Sequence, residues 1–162
     1  MVDRNDGAAE ESRPPTLNDL LSLCRELNAR GARYVVIGGM AMIRAGFVRG
    51  TEDIDLLIEG SAENQAAVRK ALEILPDKAV GELREGDLER YVVVRVADEI
   101  VVDLLLSAGG VAYAEALTET IIADVEGVPI PFASPRLLLR MKQTGREKDA
   151  LDLLFLRELL SR

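Results

Sequence analysis

Two aspartates set one residue apart in an apolar run, Asp53-Ile54-Asp55 within Thr51 to Ile58, are the first residues in this chain whose types and spacing suggest chemistry. In a strand, residues i and i+2 project to one face with Cα atoms roughly 6.6 Å apart. Asp53 and Asp55 therefore aim together, and Ile54, Leu56 and Ile58 face the other way. Two like charges side by side oppose folding unless something positive sits between them. Hard carboxylate oxygens suit a divalent cation such as Mg²⁺ or Mn²⁺. A third acid, Asp103, interrupts the apolar run Ile100 to Leu106. An ionised carboxylate buried alone costs several kcal/mol, so Asp103 is either paired, bound to metal, or turned to solvent on an edge strand.

Other chemistries are removed by composition. The chain has no histidine, which excludes Ser-His-Asp and Cys-His nucleophiles and His-ligated zinc. Any catalysis must run on carboxylates, Lys, Arg, Ser, Thr, Tyr or metals. The single cysteine, Cys24, shares a helix face with Leu17, Leu20, Leu21 and Leu27. It excludes an internal disulfide and reads as a buried structural thiol. The net charge of −8 repels nucleic acid as a whole. Between Arg136 and Lys148, however, stand five bases (Arg136, Arg140, Lys142, Arg146, Lys148) and one acid, Glu147. Such a local cationic surface suits a compact polyanion, a nucleoside triphosphate or the end of an RNA.

The elements that must position these groups follow from periodicity. At 162 residues and 48% hydrophobic content, one domain with a real core is expected. Residues 1–15, polar or small and closed by Pro14-Pro15, read as a disordered tail, and residues 16–162 as a single domain. Without a signal-peptide pattern or an apolar run near ~20 residues, a cytoplasmic protein with no membrane contact is expected. Thr16 and Asp19 form a capping box for a helix to Ala29. Tyr34 to Ile37 is a short strand running into Gly38-Gly39 and a helix from Met40 to Ala45, and Glu52 to Ile58 is the acidic strand. Ser61 caps a helix reaching Leu75. Tyr91 to Ala97 and Ile100 to Leu106 read as strands joined by Asp98-Glu99, with a short helix at Val111 to Leu117. Ile121 to Val125 and Val128 to Phe132 flank the turn Glu126-Gly127, and Ser134-Pro135 starts a helix. Lys148 to Leu160 forms an amphipathic helix with Leu151, Leu154, Phe155 and Leu159 on one side, apolar enough to support a homodimer. The sum is α+β: a mixed β-sheet with helices packed over it and a C-terminal helical segment.

The ordered set resembles the DNA-polymerase-beta-like nucleotidyltransferases: Gly38-Gly39 after a strand, thirteen intervening residues, Asp53-Ile54-Asp55, and Asp103 on a later strand. Downstream, Lys142-x-x-x-Arg146-x-Lys148-Asp149-x-x-Asp152-Leu153 is similar to the signature of the AbiEii-type branch, which includes toxins of toxin–antitoxin and abortive-infection systems. The resemblance spans roughly Tyr34 to Leu160. It implies that Asp53 and Asp55 bridge two Mg²⁺ ions and that Asp103 completes the site and accepts the proton of the attacking hydroxyl. The reaction implied is in-line attack on the α-phosphorus of an NTP, with pyrophosphate leaving. Gly38-Gly39 would let phosphate approach backbone N–H groups at a helix start, the alternative being a plain strand–helix turn. Arg49 and Thr51, in the loop before the acidic strand, would contact the triphosphate. Lys142 and Lys148 would neutralise its outer phosphates or else pair with Asp149 and Asp152, acids that anchor the last helix.

This chain departs from the pattern at Gly39, where many members carry a serine whose hydroxyl touches phosphate. AbiEii-type toxins also usually carry a further helical region beyond the part that matches here. The function expected is a metal-dependent transfer of an NMP to a hydroxyl of an RNA, such as a tRNA end, or of a protein, with a cognate toxin or antitoxin as partner. The alternatives are a catalytically weak or inactive binding or regulatory module of the same fold, antitoxin-like in role, and a purely structural cation site.

Overall fold

Val2–Asp3 forms a strand, β1, where the sequence predicts a disordered tail over residues 1–15. Its partner is the strand Val94–Ala97, with Val2 opposite Val96 and Asp3 opposite Arg95. Three contacts overcome the polar composition: Val2 is buried, Arg4 pairs with the buried Asp87 at 2.9 Å, and Ser12 Oγ donates to the Asp98 carbonyl at 2.7 Å. The computed structural model describes residues 1–4, 11–142 and 149–162.

Helix α1 (Leu17–Ala29) opens on the expected capping box: Thr16 Oγ1 accepts from the Asp19 N–H, and the Asp19 carboxylate accepts from the Thr16 N–H at 2.7 Å. Its inner face buries Leu20, Leu21, Leu23, Cys24 and Leu27. Burial pushes the Cys24 thiol up to about 11, which makes it a packing group rather than a nucleophile. Strand β2 (Tyr34–Ile37) runs directly into α2 (Gly38–Arg44), and the chain returns through the loop 45–52 as β3 (Asp53–Ile58). Ser61 caps α3 (Ala62–Leu72) by accepting from the Asn64 N–H at 3.2 Å. The region 79–93 is a 3₁₀ turn at Ala79–Glu82 and a short helix α4 (Asp87–Arg90), so β4 (Val94–Ala97) starts three residues later than periodicity suggests. Then come β5 (Val101–Leu105), the small ribbon β6 (Ser107–Ala108) and β7 (Val111–Ala112), α5 (Tyr113–Ala116), the hairpin β8 (Thr120–Val125) and β9 (Val128–Ala133), α6 (Pro135–Met141) and α7 (Ala150–Leu160).

Seven strands make one mixed sheet in the order β1-β4-β5-β3-β2-β9-β8. The pairs β3–β5 and β2–β9 are parallel, and the remaining pairs are antiparallel. The hairpin turn uses Glu126 and Gly127, both at positive φ (49° and 85°), the backbone a tight two-residue hairpin needs. Helix α7 turns a different side inward from the one its leucines suggest. Asp152 and Leu156 are buried, whereas Leu151 and Leu154 are 70% and 64% exposed. Two contacts fix that orientation: Asp152 is bound by two cations, and Phe155 stacks on Phe47 with ring centroids 4.8 Å apart. No helix among the described residues is long and apolar enough to cross a membrane.

Candidate active site

The acidic centre is built by register. On neighbouring parallel strands, Asp55 of β3 lies directly opposite Asp103 of β5, and Asp53 stands two residues earlier on the same face as Asp55. The alternating residues Ile54 and Leu56 are fully buried beneath. One oxygen from each of Asp53, Asp55 and Asp103 falls within 4.8 Å of the others. Asp103 is 4% exposed in the middle of the sheet, so it is not a solvent-facing edge residue. The Asp55 carboxyl is pushed well above the usual carboxylate range, first by burial, then by the charges of Asp53 and Asp103 and its hydrogen bonds with them.

Glycine at position 38 is what lets this cluster exist. Gly38 sits at φ +66°, and a Cβ there would lie 1.9 Å from Asp55 Oδ2. Gly39 is constrained by a different neighbour: its Cβ would lie 2.4 Å from Thr51 Oγ1, 2.7 Å from Thr51 Cβ and 3.5 Å from Arg49 Nη2. The space a serine side chain would need at position 39 is therefore filled by the Thr51 hydroxyl, which donates to the Asp53 carbonyl at 3.0 Å. Gly39→Ser alone is expected to lower stability by about 1–3 kcal/mol, read by thermal denaturation. A double-mutant cycle with Thr51→Gly should recover most of that loss, and zero coupling would overturn the contact.

Two cations and two acids line a cavity beside the Gly-Gly turn. Arg49 Nη1 meets Asp152 Oδ2 at 2.6 Å, and Lys142 Nζ meets the same oxygen at 2.9 Å and Asp149 Oδ1 at 3.4 Å. Asp149 and Asp152 are 3% and 4% exposed and face these cations, which ties α7 to the loop before β3 and to the end of α6. Lys148 and Arg146, part of the cationic run in the sequence, lie outside the described residues. Arg140 pairs outward with Glu115 and Glu119 at 2.8 and 3.0 Å, away from the acids.

Two cavities meet at the acidic centre. One, about 560 Å³, is lined by Gly38, Gly39, Arg49, Thr51, Lys142 and Asp152. The other, about 380 Å³, is lined by the apolar residues Val92, Leu105, Leu138 and Met141 and by Gly109 and Gly110. Gly38, Asp53, Asp55 and Lys142 line both.

Sequence reasoning passed over Arg95. It lies opposite Asp103 on β4, with Nε 2.9 Å from Asp103 Oδ1 and Nη2 2.9 Å from Asp103 Oδ2 and 3.1 Å from Asp53 Oδ2. Its signal was present as a charge between Val94 and Val96 in an apolar strand, the same kind of interruption that Asp103 makes. A two-residue turn at Asp98-Glu99 would have paired Arg95 with Val102. Ile100 instead belongs to the turn, so Ala97 pairs with Val101 and Arg95 with Asp103. The Asp98 carboxylate fixes that longer turn by accepting from the Asp77, Ala79 and Glu99 N–H groups at 2.7–2.9 Å.

The three acids fit a divalent cation. They offer only hard oxygens, from converging positions, and the guanidinium drawn between Asp53 and Asp103 shows that the cluster demands positive charge.

No protein-family model matches this chain, and no curated protein is similar to it in sequence. Solved structures are similar in fold. A candidate nucleotidyltransferase of Thermotoga maritima superposes with a TM-score of 0.54 at 17% identity, over 92% of this chain and 98% of its own. The antibiotic-resistance factor ANT(2'')-Ia superposes with a TM-score of 0.56 at 17% identity, over 90% of this chain and 86% of its own. The α+β architecture with its mixed sheet, reached independently from periodicity, is thus the nucleotidyltransferase fold.

Proposed function

We propose that this protein is a metal-dependent nucleotidyltransferase that moves an NMP from an NTP to an acceptor hydroxyl. The observation that carries the reading is the convergence of Asp53, Asp55 and Asp103 within 4.8 Å, beside a glycine turn and a wall bearing Arg49 and Lys142. Mg²⁺ or Mn²⁺ held by the three aspartates would supply Lewis-acid activation of the hydroxyl and charge neutralisation of the phosphates.

The protein's own groups then have defined tasks. Gly38 and Gly39 line the cavity in which the triphosphate would lie, and their missing Cβ atoms make room for Asp55 and Thr51 at its edge. Arg49 and Lys142 face its β- and γ-phosphates, pre-positioned by Asp152 so that little rotamer entropy is lost on binding. The Thr51 hydroxyl lies beside Gly39 and would stand in for the serine that many members of the resembled family carry there. Lys148 is assigned to the outer phosphates by the sequence motif alone. The acceptor oxygen attacks the α-phosphorus and forms the new O–P bond. The bond from that phosphorus to the bridging oxygen breaks, pyrophosphate leaves with the electron pair, and a carboxylate oxygen of Asp103 takes the hydroxyl proton.

The motif from Lys142 to Leu153 supports an AbiEii-type role, with an RNA end or protein hydroxyl as acceptor and a cognate toxin or antitoxin as partner. The fold likeness to an antibiotic-resistance factor supports testing a small-molecule hydroxyl beside these. The test incubates the protein with each α-labelled NTP, Mg²⁺, and tRNA, protein or aminoglycoside in turn. Label should appear on one acceptor class and fall to background with an Asp53→Ala, Asp55→Ala double variant. Equal labelling by that variant would remove the aspartates from the mechanism.

A further inference from the structure

The Arg95 guanidinium forks onto both oxygens of Asp103, at 2.9 Å each, and extends Nη2 to Asp53 Oδ2 at 3.1 Å. Its side chain is 15% exposed, and the Asp103 side chain is 6% exposed. A cation bonded to those oxygens competes with the guanidinium for their charge and for two of their roughly four lone-pair sites, and the two positive groups repel each other. A planar fork onto both oxygens of a carboxylate is also among the strongest hydrogen-bonded pairs in proteins. We propose that Arg95 is a built-in competitor for the divalent cation: it holds the acids together in the metal-free chain and must release Asp103 and Asp53 for metal to enter, so it sets the metal affinity of the site. This rests on the triad being a cation site, as proposed above.

The geometry allows the release. Arg95 also lines the cavity of about 380 Å³ beside the triad, so the guanidinium has open space to turn into without breaking the sheet. If the released state makes up about a tenth of the metal-free population, removing the competitor should tighten Mn²⁺ binding about 10-fold, because apparent affinity scales with the competent fraction. Arg95 is thus a positioning residue, acting through the three carboxylates.

Calorimetric Mn²⁺ titration of the full chain, with thermal denaturation in parallel, tests this on wild type, Arg95→Lys and Arg95→Met. Affinity should rise in the order Arg, Lys, Met, reaching about 10-fold tighter in the Met variant. Metal-free stability should fall in the same order, and saturating Mn²⁺ should close most of the gap. A merely structural role for Arg95 would lower stability without raising affinity. Arg95→Met binding Mn²⁺ no more tightly than a wild type that does bind it overturns the competitor and leaves the cation site standing. If neither binds, the cation site itself is overturned and the competitor with it. Should Arg95→Met not fold, Arg95→Lys, which keeps the charge but loses the fork, still has to bind more tightly than wild type.

Discussion

Asp55→Asn is expected to make the metal-free protein more stable than wild type while cutting nucleotidyl transfer by about 10³-fold or more. Asp55 lies opposite Asp103 and beside Asp53, and these neighbours, after burial, push its carboxyl well above the ordinary range. Its ionised form is therefore strained in the absence of a cation. An asparagine offers an N–H to the same carboxylates without the charge, and relief of a like-charge cross-strand pair is worth about 1 kcal/mol. For a chain of this length, that corresponds to a rise of about 2–4 °C in Tm. The same substitution removes a ligand oxygen, so Mg²⁺ should no longer raise Tm as it does for a protein whose native state alone binds the ion. Thermal denaturation with and without Mg²⁺ separates these effects. An Asp55→Asn protein that is less stable than wild type without metal would show that Asp55 is a structural partner and not a strained ligand. Functional sites commonly carry such stability costs.

Gly38→Ala is expected to produce a large loss of stability. The new Cβ would fall 1.9 Å from Asp55 Oδ2 and 2.8 Å from its Cγ, in a residue already at φ +66°. The left-handed backbone costs about 1–2 kcal/mol for any residue with a Cβ. Displacing Asp55 adds the penalty of overpacking, for a total of about 2–4 kcal/mol. Tm should fall by roughly 5–15 °C, and Mn²⁺ binding should weaken with it because Asp55 can no longer converge on its neighbours. Gly50, where an added Cβ meets nothing within 4 Å, is the control: Gly50→Ala should change both quantities little. A Gly38→Ala protein with wild-type Tm and metal response would mean that the acidic centre is arranged otherwise.

The linear chain was informative wherever one residue's neighbours in sequence are also its physical constraint. Alternation in Asp53-Ile54-Asp55 fixes which side chains share a face, because strand geometry has a period of two whatever the partners are. The capping groups Thr16, Ser61 and Ser134 act within three residues, and the structure uses all of them. Asp103 announced itself as a charge in an apolar run, since such a residue must find a partner. Which side of α7 faces inward is not legible in the sequence, for the opposite reason. Hydrophobic periodicity there competes with ion pairs from Arg49, which is 103 residues away from Asp152.

What the sequence by itself determined is the set of acids, the glycine turn that abuts them and the strands that carry them. These follow from local periodicity and from the cost of burying charge. What only the tertiary structure decided is how the charges are balanced. The three-residue turn at 98–100, held by Asp98, shifts β4 by one residue and so sets Arg95 against Asp103. The meeting of α7 with the loop before β3 gives Asp152 its two cations, and the approach of Thr51 to Gly39 fills the space a side chain at position 39 would need. Each of these depends on which residues from distant parts of the chain come within a few ångströms. That is fixed by strand register and helix packing, not by neighbours along the chain.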